Sequence, residues 1–149
     1  MTGARVGAVV LNYNGGERTL ACLRSVLATE GDVPLRVVLV DNASTDGIAA
    51  RVRTELPAVT VVESPTNRGF AGGCNLGIRS LPDVRFVALV NNDATVDPGW
   101  LTPRVEALMR AQTRRSILMG MTGRANTGSR PRVAISASLN PVRRPKASL

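Results

Sequence analysis

Phe86-Val87-Ala88-Leu89-Val90-Asn91-Asn92-Asp93-Ala94-Thr95-Val96-Asp97 decides the fold. Five apolar residues in a row read as a strand buried on both faces, the habit of a parallel sheet covered by helices. Two amides and a carboxylate follow with no spacer. In an open parallel sheet ligands bind beyond the carboxyl ends of the strands. A polar cluster at that position therefore marks a seat for a charged small molecule or a metal. One strand end is weak on its own, and the other strands have to agree with it.

They do. Residues 5–11, Arg-Val-Gly-Ala-Val-Val-Leu, form a first buried strand and run into Asn12-Tyr13-Asn14-Gly15-Gly16. A helix is predicted over 15–29, with Asn14 and Glu17 as a capping box and Leu20, Leu23, Val26 and Leu27 as its apolar stripe. Leu35-Arg36-Val37-Val38-Leu39-Val40 is a second strand leading into Asp41-Asn42-Ala43-Ser44-Thr45-Asp46-Gly47. A helix over 46–55 follows, with Ser44 or Thr45 as its N-cap. Val59-Thr60-Val61-Val62 is a third strand, and a helix over 70–80 turns Leu76 and Ile78 inward despite Gly72 and Gly73. Beyond Asp97, Thr102 is placed to cap a last helix with Pro103 at its first position. Alternating strands and helices with short linkers define an α/β fold with a parallel sheet, in one domain to about residue 112.

Composition narrows the chemistry. The chain has 149 residues, 44% apolar, and no run of the roughly 18 apolar residues that would cross a membrane. Histidine is absent, which excludes Ser-His and Cys-His nucleophiles and every histidine-based metal site. Cys22 and Cys74 show no ligand spacing and read as reduced packing residues, which points to a cytoplasmic setting. The net charge of +8 is uneven. Up to Pro103, 9 Arg face 10 Asp and Glu; from Arg104 onward, 9 Arg and Lys146 face Glu106 alone. The basic character belongs to the last third, where residues 113–149 lose periodicity and read as a disordered tail.

Three strand ends thus offer Asn12-Tyr13-Asn14, Asp41-Asn42 and Asn91-Asn92-Asp93. With the first strand between the second and the fourth, they converge on one sheet edge at the point where the winding reverses. Amides and carboxylates can read a base edge and ribose hydroxyls, a tyrosine can cover a ring, and Asp93 can hold a cation shared with phosphates. Taken singly, an Asn or Asp after a strand is as commonly a turn former or a cap. Gly69-Phe70-Ala71-Gly72-Gly73 does not match G-x-G-x-x-G and follows the third strand, which argues against a dinucleotide site.

The set Val9-Val10-Leu11-Asn12-Tyr13-Asn14-Gly15-Gly16, Val38-Leu39-Val40-Asp41-Asn42-Ala43-Ser44-Thr45-Asp46-Gly47, Asn67-Arg68-Gly69-Phe70-Ala71-Gly72-Gly73-Cys74-Asn75 and Leu89-Val90-Asn91-Asn92-Asp93-Ala94 resembles the N-terminal half of a family 2 glycosyltransferase. It is similar to the rhamnosyl- and galactofuranosyltransferase-like branch, over about residues 5–112. The resemblance implies a three-layer αβα, Rossmann-like GT-A fold, truncated after its nucleotide-binding half. It implies that Asn12, Tyr13 and Asn14 line the nucleobase pocket and that Asp41, with Asn42 beside it, bonds the base or ribose. Arg68, Gly69 and Asn75 would close over the nucleotide. Asn91-Asn92-Asp93 would stand for the D-x-D element, with Asp93 as ligand to Mn²⁺ or Mg²⁺ and Asn91 replacing its first Asp.

The donor implied is a UDP- or dTDP-sugar, and the acceptor a saccharide or lipid-linked sugar, as in cell-wall polysaccharide synthesis. A lipid-linked acceptor would put the protein at the inner face of a membrane. The mechanism the resemblance implies is inverting transfer, in which a carboxylate base deprotonates the acceptor hydroxyl, which attacks the anomeric carbon as the metal steadies the leaving diphosphate. The resemblance implies that this base comes from the family's C-terminal half, whose acidic motif is not found here: after Asp97 the one carboxylate is Glu106, inside a predicted helix. Charge, periodicity and resemblance all change near residue 112, as a shifted reading frame or truncated gene would produce. The outer edge of the fourth strand is then expected to lie open and promote aggregation. A nucleotide-binding module without transfer chemistry is the competing reading. Nucleic-acid binding through the arginine-rich tail ranks below it, because no aromatic residue follows Trp100.

Overall fold

The computed structural model describes residues 6–120 and 133–137, with side-chain surroundings through residue 111. The order is β1 (Val6–Asn12), α1 (Glu17–Leu27), β2 (Leu35–Asp41), α2 (Ile48–Glu55), β3 (Val59–Glu63), α3 (Gly69–Arg79), β4 (Phe86–Asn91), α4 (Leu101–Gly120) and β5 (Val133–Ala137). All five strands are parallel, in the order β3-β2-β1-β4-β5. β1 is central, with Val6 opposite both Leu35 and Phe86 and Asn12 opposite Asp41.

Alternation along the strands divides the core in two. Val6, Ala8 and Val10 turn to one face, with Leu20, Leu23 and Val26 of α1, Ile48 and Val52 of α2, and Leu101 and Val105 of α4. Val9, Val38, Val40 and Val87 turn to the other, under Leu76 and Ile78 of α3. This is a three-layer αβα sandwich, as expected from the sequence. Ion pairs Arg24–Glu55 at 2.7 Å and Arg51–Glu17 join α1 to α2 at the surface, and Arg51–Glu55 at 2.8 Å links them within α2. Among the described residues no helix is long and apolar enough to cross a membrane.

The helix starts depart from expectation. α1 begins at Glu17, and Asn14 does not cap it. Asn14 sits at φ 51°, and its Oδ1 instead accepts from the backbone N–H of Thr45 at 2.8 Å. α2 is capped by neither Ser44 nor Thr45: its N-cap is Gly47 in the left-handed region, and Asp46 Oδ1 takes the Ile48 N–H at 3.1 Å. α4 starts at Leu101, so Thr102 and Pro103 lie inside its first turn.

The largest departure lies past residue 112. α4 continues to Gly120, and Val133–Ala137 pair with β4 from Phe86↔Val133 to Val90↔Ala137. Neither segment is the disordered tail expected from composition. Ile117-Leu118-Met119 continues a helix already anchored through Leu101 and Val105, and a five-residue strand carries too little periodicity to stand out. The β4 edge expected to be open is covered by β5. Residues 121–132 and 138–149, the remainder of that expected tail, lie outside the described residues.

Candidate functional site

From β1 the chain winds outward to β3, then returns through α3 to β4 on the other side of β1 and outward again to β5. The reversal leaves a crevice at the carboxyl ends of β1 and β4. A cavity of about 320 Å³ opens there. Val9, Leu11, Leu89 and Val90 form its apolar base, and Tyr13, Phe70, Cys74, Asn91, Asn92 and Asp93 its walls. The chain holds one Trp, one Tyr and two Phe. Trp100 and Phe86 are buried in the core, whereas Tyr13 is 55% and Phe70 60% exposed, both on this cavity. Exposed ring faces beside a polar strand end suit a planar ligand.

Of the eleven residues expected at the site, Tyr13, Asn91, Asn92 and Asp93 line the cavity. Asn12 does not, because one step along the strand turns it to the face opposite Leu11. It is fully buried and acts as a hub. Its Nδ2 donates to Asp41 Oδ1 at 3.3 Å, Ser44 Oγ at 3.0 Å and Asp46 Oδ2 at 3.3 Å. Its Oδ1 accepts from the Gly15 N–H at 3.0 Å and Thr19 Oγ1 at 2.7 Å. Asp41, 7% exposed, takes Asn12 and the Ser44 N–H on Oδ1, leaving Oδ2 for another partner.

Asn42 is also spent internally. Its Nδ2 donates to Asn67 Oδ1 at 2.9 Å and Gly69 O at 3.2 Å, while its Oδ1 accepts from the Arg68 N–H at 2.9 Å. It thereby fixes the turn that opens α3 and carries Phe70. Arg68 donates through Nε to Ser64 Oγ at 3.0 Å. Arg68, Gly69, Asn14 and Asn75 are exposed around the cleft without lining the cavity.

Sequence reasoning missed Phe70, Ser44, Thr19 and Asp46. A chain with four aromatics offered a signal for Phe70: one placed at a helix start beside glycine has no core to fill. Asp46 had none beyond its capping residue type. Partial burial alone would raise its carboxyl, but the N–H groups of Gly16 and Ile48 and the Asn12 amide outweigh that and hold it below the usual 3.8. A depressed folded value contributes stability above that pH and loses it as pH falls below. Asp46→Asn is therefore expected to lower stability by a constant amount above about pH 5, with the deficit shrinking in more acid solution. Urea unfolding across a pH series checks it.

Asp93 is exposed at the cavity wall and takes part in none of the ion pairs among the described residues. No cluster of three or more His, Cys, Asp or Glu is present among them. Among the described residues the side chains alone build no metal cage. This donor set fits Mg²⁺ or Mn²⁺ held by one carboxylate together with diphosphate oxygens. Behind it, burial and then the Asp93 charge push the Cys22 thiol up to about 12, so it stays protonated and is no nucleophile.

The 3-2-1-4-5 parallel sheet, covered by helices and with its cleft at the switch point, is an α/β, Rossmann-like fold. The chain belongs to glycosyl transferase family 2, whose model matches residues 8–144 and so runs past the boundary expected near 112. TarS of S. aureus, residues 1–349, is 26% identical with a TM-score of 0.56, covering 68% of this chain and 31% of that one. In complex with UDP-GlcNAc, TarS gives 26%, a TM-score of 0.53, and 73% and 30% coverage. The mannosyltransferase PcManGT of Pyrobaculum calidifontis, in complex with GDP-Man and Mn²⁺, is 31% identical with a TM-score of 0.56, covering 64% and 29%. The chain spans about a third of the length of these structures. No curated protein matches it.

Proposed function

We propose that this chain is the donor-binding part of a nucleotide-sugar-dependent, inverting glycosyltransferase. The observation that carries the reading is a single cavity with two exposed rings, Tyr13 and Phe70, and a carboxylate, Asp93, on its walls. A nucleobase has ring faces to stack and a diphosphate has charge to neutralise, and the cavity presents surfaces for both. Tyr13 and Phe70 cover the base, the free Oδ2 of Asp41 accepts from base or ribose, and Asn91 and Asp93 face the diphosphate end. A Mn²⁺ or Mg²⁺ ion on Asp93 would draw charge from the leaving diphosphate. The neighbours' complexes with UDP-GlcNAc and with GDP-Man and Mn²⁺ support a nucleoside-diphosphate sugar. Within the family, the motifs favour the rhamnosyl- and galactofuranosyltransferase-like branch, acting on a saccharide or lipid-linked acceptor. No base for transfer is assigned: Glu106 lies on α4 beside Arg110, away from the cavity.

Calorimetric titration with UDP-GlcNAc, GDP-mannose, UDP-galactofuranose and dTDP-rhamnose, with Mn²⁺ or with EDTA, tests this. One donor is expected to bind at least about ten-fold tighter with Mn²⁺, and Asp93→Ala to abolish that gain, as loss of a charged ligand contact implies. Binding indifferent to metal and to Asp93 would replace the reading with a non-catalytic nucleotide module.

A further inference from the structure

The loop after β4 is tied to α1 at regular intervals. Asn92 Nδ2 donates to Thr19 Oγ1 at 3.1 Å, the Cys22 thiol donates to Asn91 O at 3.3 Å, and the Val96 N–H donates to Ser25 Oγ at 3.1 Å. Just past the helix, Trp100 Nε1 donates to Thr29 Oγ1 at 2.8 Å. Steps of three residues put 19, 22 and 25 along one helical face, and Thr29 follows just beyond the helix end. Thr19 also donates to Asn12 Oδ1 at 2.7 Å, joining this row to the buried hub. Space for the junction exists because residue 15 is glycine. A Cβ there would fall on Thr19 Oγ1 and the Asn92 amide, and lie 2.9 Å from Asn12 Oδ1.

Asp93 itself takes no part in these bonds. The Ala94 N–H closes a turn onto Asn91 O at 3.0 Å. The residue before Asp93 is thus held by its side chain, the turn around Asp93 by its backbone, and the carboxylate projects to the cavity wall. We infer that Thr19, Cys22 and Ser25 of α1, with Asn92, are positioning residues that fix the Asp93 carboxylate at the diphosphate end of the donor site. Asn92, matched by its motif to a ligand-binding place, spends its amide on Thr19. The inference rests on the donor reading above. A carboxylate that shares a cation with a diphosphate must be held to within about 0.5 Å to be effective, and an exposed side chain on an unanchored turn is not.

Thr19→Val keeps the shape of the side chain and removes both hydroxyl bonds. With the donor nucleotide and Mn²⁺, it is expected to lower the Mn²⁺ gain in affinity at least five-fold while the affinity in EDTA stays within two-fold. Thr19→Ser is expected to restore the gain, and Ser25→Ala to reproduce a smaller loss. An unchanged gain, or equal losses with and without Mn²⁺, would overturn the inference, the latter marking general damage to the fold. Hydrogen exchange supplies the second readout: in Thr19→Val the amides of Ala94 and Val96 should exchange at least ten-fold faster while those of Val9 and Val38 do not change. If the unsubstituted chain shows no Mn²⁺ gain, the donor reading fails by itself. The exchange result then decides whether α1 fixes the Asp93 loop: faster exchange confined to that loop supports it, and none overturns it.

Discussion

Asn12→Ala is expected to cost about 3 kcal/mol or more, a large fraction of a domain's stability. The amide joins the end of β1 to the turn after β2 through Asp41, Ser44 and Asp46, and to α1 through Thr19. Each partner is bonded in a buried or part-buried setting, and alanine leaves several of them unsatisfied at once. Asn12→Asp is nearly isosteric and separates charge from shape. It sets a third carboxylate beside Asp41 and Asp46, so it should be worse at neutral pH. Like-charged neighbours favour its protonated form in the folded state, so part of the loss returns as pH falls. Chemical unfolding of both variants at pH 7 and pH 5 checks the order. An Asn12→Ala protein within 1 kcal/mol of the parent would show that the hub is not what joins the two loops.

Gly77→Leu is the second large effect. Gly73 and Gly77 lie one turn apart on α3, both buried against the sheet. A Cβ at 77 would meet Val9 Cγ1 at 2.6 Å and Val40 Cγ2 at 2.8 Å, both on branched side chains wedged in the core. Overpacking of this kind costs about 1–3 kcal/mol for a small excess and more for a leucine. Gly77→Ala should lose less, since alanine recovers about 1 kcal/mol of helix propensity. Gly99→Ala, whose Cβ would meet nothing within 4 Å, is the control and should stay within about 0.5 kcal/mol. Because α3 carries Phe70 and Cys74 into the cavity wall, lifting it should also weaken nucleotide binding. A Gly77→Leu protein with unchanged thermal midpoint would contradict this close approach.

The strands and their parallel arrangement were legible because buried runs such as residues 86–90 have few other uses. Tyr13 and Asp93 stand on the cavity because the loops leaving the carboxyl ends of such runs pass beside the crevice. What the spacing did not convey was facing. Leu11 and Asn12 are adjacent, yet one floors the cavity and the other is buried beneath the opposite helices. Asn42 likewise looked like a ligand group and is used to shape the turn before α3. The row Thr19, Cys22, Ser25 was hidden because Cys22 reads as a packing residue and no spacing on α1 tells which loop its small polar groups will meet. β5 was missed because its meaning comes from an edge supplied some forty residues earlier, which no local pattern contains.

The central place of β1 also orders events in time. Val6 faces Leu35 on one side and Phe86 on the other, so its first partner is 29 residues away and its second 80. Distant pairings of this kind fold slowly, because the chain must close a long loop before any contact rewards it. At about 5–20 residues per second, the fifty residues from the end of β2 to the end of β4 take roughly 3–10 s to synthesise. Throughout that interval the nascent β1 holds one ladder and offers the other to whatever it meets. The strand at the centre of the finished sheet thus depends on a second partner made well after its first.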